Sequence, residues 1–291
     1  MLYIVFHKID FDGLASLAVV ADFFQVPGMK PLGYNYGDPI PEELSRVTGK
    51  DSVVILDVCL PVAVMKTLSA SCSVVWIDHH RTAIQESVKE DFDDIPGLRQ
   101  EGIAACRLAW RYFFGNIKEP ESLRLLGLYD VWDHSTGEWE TKIIPFQYGC
   151  RSRFNLDVDR FLEADILSDD LTDDLLREGQ NLIGYIRSTG AGQVAATGFP
   201  VTVGGVPATA VLGRLDSLVM ADAMTDDRPV VLSVTRRDDL YVVSARTRQG
   251  DQYPDLGGYL KRAYGGGGHQ AAAGCSLTRE QFFQFLVEGS L

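Results

Sequence analysis

The residues best suited to chemistry here are carboxylates and imidazoles standing at the ends of apolar runs. His7-Lys-Ile-Asp10-Phe-Asp12-Gly13 brings one imidazole and two carboxylates into a single strand-to-helix turn. The alternating carboxylates of an Asp-x-Asp turn lie on one side, where two adjacent cations can each take one; an Asp at a helix start also serves as an N-cap. Asp78-His79-His80 closes another apolar run. A lone histidine is commonly absorbed by a core, but two adjacent ones behind an Asp at a strand's end are poorly explained by packing. Asp57, in Ile-Leu-Asp-Val, ends a third run and can be a turn residue or a bridge between two metals. In Leu-Tyr-Asp130-Val-Trp132-Asp133-His134, the residues leave open which of Asp130, Asp133 and His134 serves as a ligand.

A second concentration lies near the C-terminus, in Gly265-Gly266-Gly267-Gly268-His269 followed by Gln-Ala-Ala-Ala-Gly274. Consecutive glycines let backbone N–H groups approach an oxyanion closely, and a following histidine adds a proton donor or a cation. A flexible linker would be Gly/Ser-rich and lie between domains, whereas this run sits between a helical stretch and a small-residue segment. Arg246, in Val-Ser-Ala-Arg-Thr, is the nearest strand-borne cation upstream.

These residues need elements to position them. Leu2–Phe6, Ser52–Asp57 and Ser73–Asp78 are near-continuous apolar runs, as expected of central parallel strands covered on both faces. Gly13–Phe24, Pro61–Ser69, Ile103–Phe114 and Ser122–Trp132 have helical spacing. The alternation predicts a parallel α/β sheet with right-handed crossovers. Ligands of such sheets bind beyond the carboxyl ends of the strands, and that edge gathers Asp10, Asp12, Asp57 and Asp78. Residues 158–190 read as one or two helices, broken by Gly190, Gly192 and Gly198. The expected organisation is therefore a domain over 1–195, including a helical connector, and a smaller α+β domain over 200–291. The second takes its strands from Val201–Val203, Ala208–Leu212, Val230–Val234 and Leu240–Ala245, with a hairpin at Arg237-Asp238-Asp239. Its helices are expected at Ser217–Ala223 and Leu256–Tyr264.

Composition narrows the function classes. The chain has 291 residues, 46% of them hydrophobic, enough for two cores. No apolar run is long enough to span a membrane, and the opening residues read as a strand rather than a leader. The net charge is −13, and residues 1–199 hold 30 acidic against 18 basic side chains. Tracking along nucleic acid needs a basic stripe, which is missing from the sequence. Five scattered cysteines without a C-x-x-C pair argue for isolated thiols in a reducing cytoplasm.

Asp10-x-Asp12-Gly, Asp57, Asp78-His79-His80 and Asp130 stand in the order of the four N-terminal motifs of the DHH phosphoesterase superfamily, which the chain resembles over nearly its full length. Gly265–Gly268 with His269 is similar to the signature of the DHH-associated C-terminal domain, and Val-Ser-Ala-Arg246 to the strand before it. Tyr-Asp130-x-Trp132 looks like the nanoRNase-related branch. In many members the first histidine stands four residues before the first Asp of the motif; here His7 stands three before Asp10.

The resemblance implies a metal-dependent phosphodiesterase acting on short oligonucleotides or linear dinucleotides, with a small-phosphate hydrolase or a nucleotide-binding module as alternatives. It implies two manganese ions, magnesium being the substitute: one on His7, Asp10 and Asp57, the other on Asp12, Asp57, His79 and Asp130, with Asp57 bridging. Asp57, Asp78 and His80 take the catalytic roles, Asp78 orienting an imidazole and His80 meeting the phosphate or the leaving oxygen. Arg246, Gly265, Gly266, Gly267, Gly268 and His269 bind substrate. The expected setting is the cytoplasm, and a homodimer is open to it on general grounds.

Overall fold

The computed structural model describes every residue except Gln249, Asp251 and His269. The chain divides into two compact units, Met1–Leu182 and Ile183–Leu291, and each has its own sheet. It is a mixed α/β protein with a parallel N-terminal sheet and a smaller α+β C-terminal part, as its sequence predicts.

The first unit runs β1 (Leu2–His7), α1 (Phe11–Phe24), β2 (Lys30–Tyr34), β3 (Ser52–Leu56), α2 (Val62–Ser71), β4 (Ser73–Ile77) and α3 (Arg81–Lys89). Then follow α4 (Ala105–Phe114), α5 (Glu121–Asp130), α6 (Ile144–Phe154), α7 (Val158–Glu163) and α8 (Asp169–Thr197). The four strands pair in parallel in the order β2-β1-β3-β4. β1 and β3 are buried almost throughout, which accounts for their unbroken apolar runs. β2 escapes a periodicity reading because Lys-Pro-Leu-Gly-Tyr carries both Pro31 and Gly33. As an edge strand it tolerates a proline that a central strand would not. The core beneath the sheet packs Val5, Ile55, Trp76 and Phe92, and the Trp76 indole donates to Val58 O at 3.1 Å.

The strand order also fixes where a ligand site can form. From β1 the chain moves outward to β2, then returns to the other side for β3 and β4. The order thus reverses between β1 and β3, and the crevice at such a reversal opens beyond the carboxyl ends of both strands. His7 is the last residue of β1, and Asp57 is the first after β3.

Glycines expected to end the helix near residue 190 do not end it; α8 continues to Thr197. A Cβ on Gly190 would come within 2.3 Å of Val219, so this glycine permits close packing rather than breaking the helix. The division between the compact units falls inside α8, between Leu182 and Ile183.

The second unit contains β5 (Gly198–Val203), β6 (Val206–Leu212), α9 (Ser217–Asp222), β7 (Val230–Arg237), β8 (Leu240–Thr247), α10 (Leu256–Tyr264), β9 (Gly267–Gly268), β10 (Ala272–Leu277) and α11 (Arg279–Glu288). Its six strands follow the order β5-β6-β7-β8-β10-β9, antiparallel except for the β6–β7 pair. The β7–β8 hairpin turns through Asp238 and Asp239, with Asp238 at φ 54°. The small-residue segment after the glycine run becomes β10, and α11 starts on a capping box between Thr278 and Gln281. No helix among the described residues is long and apolar enough to cross a membrane.

Candidate metal centre

The site is built from the turn after β1. Asp10 is the N-cap of α1: its Oδ1 accepts from Gly13 N at 2.9 Å, which leaves Oδ2 to face His7 Nδ1 at 2.6 Å. One side chain therefore both starts the helix and serves the site. Gly13 is required here, because a Cβ at that position would lie 1.9 Å from the carbonyl oxygen of His7. The helix can begin this close to the end of the strand only without a side chain. On the other side of the His7 ring, Nε2 stands 3.2 Å from Asn35 Oδ1, an acceptor for an Nε2 proton, and Nδ1 points toward the carboxylates.

Asp57 is the centre of the arrangement. It is 1% exposed and sits in left-handed conformation, φ 59°, tethered by its N–H to Ile77 O. Aspartate is among the few residues that visit this region. Its two oxygens face different neighbours. Oδ2 lies 3.3 Å from His7 Nδ1, and Oδ1 lies 3.2 Å from His79 Nε2. His79 Nε2 is also 3.3 Å from Asp130 Oδ2 and 3.6 Å from Asp12 Oδ2. Asp12, in the first turn of α1, is held by two backbone amides of the α4 start, Ala105 N at 2.7 Å and Cys106 N at 2.8 Å. That helix begins at Ala104 with no side-chain cap. Asp12 supplies the missing acceptor from more than ninety residues away.

Asp78 holds the histidine pair in place. Its Oδ1 accepts from the backbone N–H of His79 and of His80, at 2.7 and 3.0 Å, and pairs with His80 Nδ1 at 2.7 Å. Its own backbone is tied to the following segment by Asp78 N to Leu98 O and Gln100 N to Asp78 O.

The electrostatics show how crowded the negative charge is. Burial, reinforced by the Asp12 carboxylate, pushes Asp57 well above the ordinary carboxylate range, and the same two causes raise Asp130. Burial would depress His7, but Asp10 and Asp57 outweigh it and raise the imidazole to about 10. For Asp10, burial acts upward and His7 wins, bringing it down.

Divalent cations fit this donor set. Three groups each converge within 4.8 Å: His7, Asp10 and Asp57; Asp12, His79 and Asp130; and Asp57, His79 and His80. Buried His7 Nδ1 and Asp57 Oδ1 make no hydrogen bond with any protein group, despite their close approaches. Buried polar atoms are ordinarily partnered, and these two lie within a cluster of groups that could hold a metal ion. Imidazole with carboxylate oxygen suits manganese and its neighbours in the first transition row.

All six expected metal-ligating residues thus meet at one place, together with Asp78 and His80. The alternatives to Asp130 do not join them. Asp133 accepts from Ser135 N at 2.8 Å in a local turn, and the His134 ring stacks on Trp139 at 3.9 Å. Asn35 and Tyr36, which follow β2, are site neighbours that sequence reasoning misses. The Tyr36 ring packs edge-on to His7 and His80, at 6.0 and 6.1 Å, and its hydroxyl accepts from Cys59 N. Their one sequence signal is the polar–aromatic turn Tyr34-Asn35-Tyr36-Gly37 itself.

In the second unit the glycine run is partly occupied by structure. Gly265 is the left-handed C-cap of α10, and the N–H groups of Gly265 and Gly266 close that helix on Lys261 O and Leu260 O. Gly267 and Gly268 form β9 against β10. Arg246, on β8 opposite Ala272, is half-buried and makes no side-chain hydrogen bond or ion pair among the described residues. His269 lies outside the described residues.

No protein-family model matches the chain, and no curated protein matches it in sequence. Solved structures do match in fold. The pGpG-specific phosphodiesterase PggH from Vibrio cholerae is 14% identical, covering 99% of this chain and 97% of its own, with a TM-score of 0.61. RecJ from Thermus thermophilus in complex with Mn2+ is 15% identical, covering 99% of this chain and 51% of its own, with a TM-score of 0.56. An exopolyphosphatase-related protein from Bacteroides fragilis is 16% identical, covering 99% and 90%, with a TM-score of 0.54. At such identities the likeness is one of fold.

Proposed function

We propose, from the DHH phosphoesterase fold that this chain has, that it is a metal-dependent phosphodiesterase hydrolysing short oligonucleotides or linear dinucleotides to mononucleotides. The observation that carries the reading is the division of Asp57, one oxygen toward the His7–Asp10 pair and the other toward His79, Asp130 and Asp12. A carboxylate split between two ligand groups is what a two-metal site needs. His7, Asp10 and Asp57 would hold one ion, and Asp12, Asp57, His79 and Asp130 the other. Manganese is the favoured metal, on donor chemistry and on the Mn2+ in the RecJ structure of like fold. When bound, the ions supply a nucleophile from water at neutral pH and neutralise charge on the phosphoryl group.

The chain's own residues do the rest. Asn35 holds the His7 ring at Nε2, with Nδ1 facing the cluster. The α4 amides fix the Asp12 carboxylate, so it need not reorganise when charge arrives. Asp78 sets the His80 ring, and His80 is proposed to meet the scissile phosphate or the leaving oxygen. In the second unit, Arg246 and the amides of Gly267 and Gly268 are proposed to bind substrate phosphate.

Chromatography of the diadenylate 5′-pApA incubated with manganese-loaded protein tests the reading, with an EDTA-treated control. AMP that accumulates with manganese and is lost with EDTA is the expected result. Pyrophosphate or polyphosphate turnover without AMP release would replace it with a small-phosphate hydrolase.

A further inference from the structure

An aromatic group follows Asp130 in the chain and has no part in the proposed metal centre. Helix α5 ends at Asp130, and its closing turn is a Schellman motif: Trp132 N bonds Tyr129 O, and Asp133 N bonds Leu128 O. The residue in left-handed conformation at such a stop is usually glycine. Here it is Trp132, at φ 57°. A bulky side chain in this region costs about 1–3 kcal/mol and persists where its surroundings or its task require it. The placement sets an indole two residues beyond a proposed metal ligand.

The surroundings hold that indole in one attitude. Trp139 is buried and opens a π-helical turn, in which Ile144 N reaches back to Trp139 O. Such single turns recur at functional sites. Trp132 stands edge-to-face with Trp139 at 4.6 Å, with Tyr129 at 5.6 Å and with His134 at 5.8 Å. No ring among the described residues is stacked parallel on Trp132. His134 is exposed and lies face-down on Trp139 at 3.9 Å, and Trp132 is half-buried. The result is a shelf of partly solvent-facing aromatic surface that begins two residues beyond Asp130. Base–aromatic stacking tolerates any base, because every base has a π-face.

We infer that Trp132, braced by Trp139 and flanked by His134, stacks a nucleobase of the substrate and so makes the site select nucleotides over base-free phosphate esters. The inference rests on the nucleotide reading above, deepens it, and is tested separately by binding. Calorimetric titration of the manganese-loaded full chain with 5′-AMP and with ribose 5-phosphate measures the contribution of the base alone. The intact protein should bind AMP about tenfold tighter than ribose 5-phosphate, or more. Trp132→Gly suits the left-handed backbone, so it should fold, and it should reduce the preference to within about twofold. Trp132→Phe, which keeps a ring, should retain most of it.

Equal affinity of the intact protein for both ligands, or an undiminished preference in a folded Trp132→Gly protein, overturns the inference. If 5′-pApA is not hydrolysed while the Trp132-dependent preference persists, the phosphodiesterase reading fails and the stacking shelf stands. If 5′-pApA is hydrolysed but the preference is absent, the shelf alone fails.

Discussion

The two units bury polar groups on opposite terms. In the second, the buried polar side chains among the described residues are Ser233 and Thr247, and both are partnered. Ser233 Oγ donates to Gly213 O and accepts from Leu215 N, and Thr247 Oγ1 donates to Pro229 O. In the first, His7, Asp12, Asp57 and Asp78 are buried together, and His7 Nδ1, Asp57 Oδ1 and Asp78 Oδ2 are without a hydrogen-bond partner. Satisfied burial adds stability and specificity of fold; unsatisfied burial of charge subtracts from stability and persists where another task keeps it. The acidity follows the same division. Residues 1–182 carry a net −13 and residues 183–291 a net charge of zero.

Substitutions should therefore have opposite signs in the two units. Asp57→Asn keeps the shape and removes the charge that its surroundings resist. It should cut manganese-dependent turnover by about a thousandfold or more, while raising the melting temperature of the metal-free protein. Loss of activity accompanied by a lower melting temperature would mean that Asp57 is a structural residue. Next in size is the effect of metal. Each occupied site should add about 2.7 kcal/mol of stability at a hundredfold excess over its Kd, read as a rise in melting temperature that Asp57→Asn removes. A melting curve indifferent to manganese would sink the two-metal assignment. Ser233→Ala should act the other way, costing about 1–3 kcal/mol by leaving Leu215 N and Gly213 O unpartnered, with specific activity at low temperature unchanged.

The smallest effect is that of pH. Raised carboxylates keep protons in the folded state that the unfolded chain has lost, so stability falls as pH rises above about 4, the unfolded carboxylate value. Asp57 and Asp130 act in this sense. His7, raised to about 10, gives stability that is complete below its unfolded value near 6.5 and lost as pH rises toward 10. Asp10, lowered, contributes in the opposite sense, lost only on acidification. Metal must displace the protons of the first two groups. The gap in melting temperature between manganese-loaded and EDTA-treated protein should therefore widen from about pH 6 to pH 8. A gap that narrows would contradict the ligand assignment.

Much of the first unit is legible in the sequence because its strands are buried on both faces, and continuous apolar runs ending in Asp leave little ambiguity about where an edge lies. His7, Asp10, Asp12, Asp57, Asp78, His79, His80 and Asp130 stand out because their types are costly in a core and their positions fall at strand and helix ends. β2 is hidden by its proline and glycine, and with it Asn35 and Tyr36. The end of α8 is misread because a helical glycine looks like a break until its close neighbour, Val219, is known.

The sequence by itself thus singled out residues able to bind cations and drew four of the carboxylates, Asp10, Asp12, Asp57 and Asp78, to one sheet edge, since both follow from chemistry and from period along the chain. Only the tertiary structure decided how they are shared. That Asp57 turns one oxygen to His7 and the other to His79, and that Asp12 is held by amides of a helix far along the chain, depend on packing between segments remote in sequence. Local pattern carries no record of such contacts, because the free energy that selects them is that of the assembled fold.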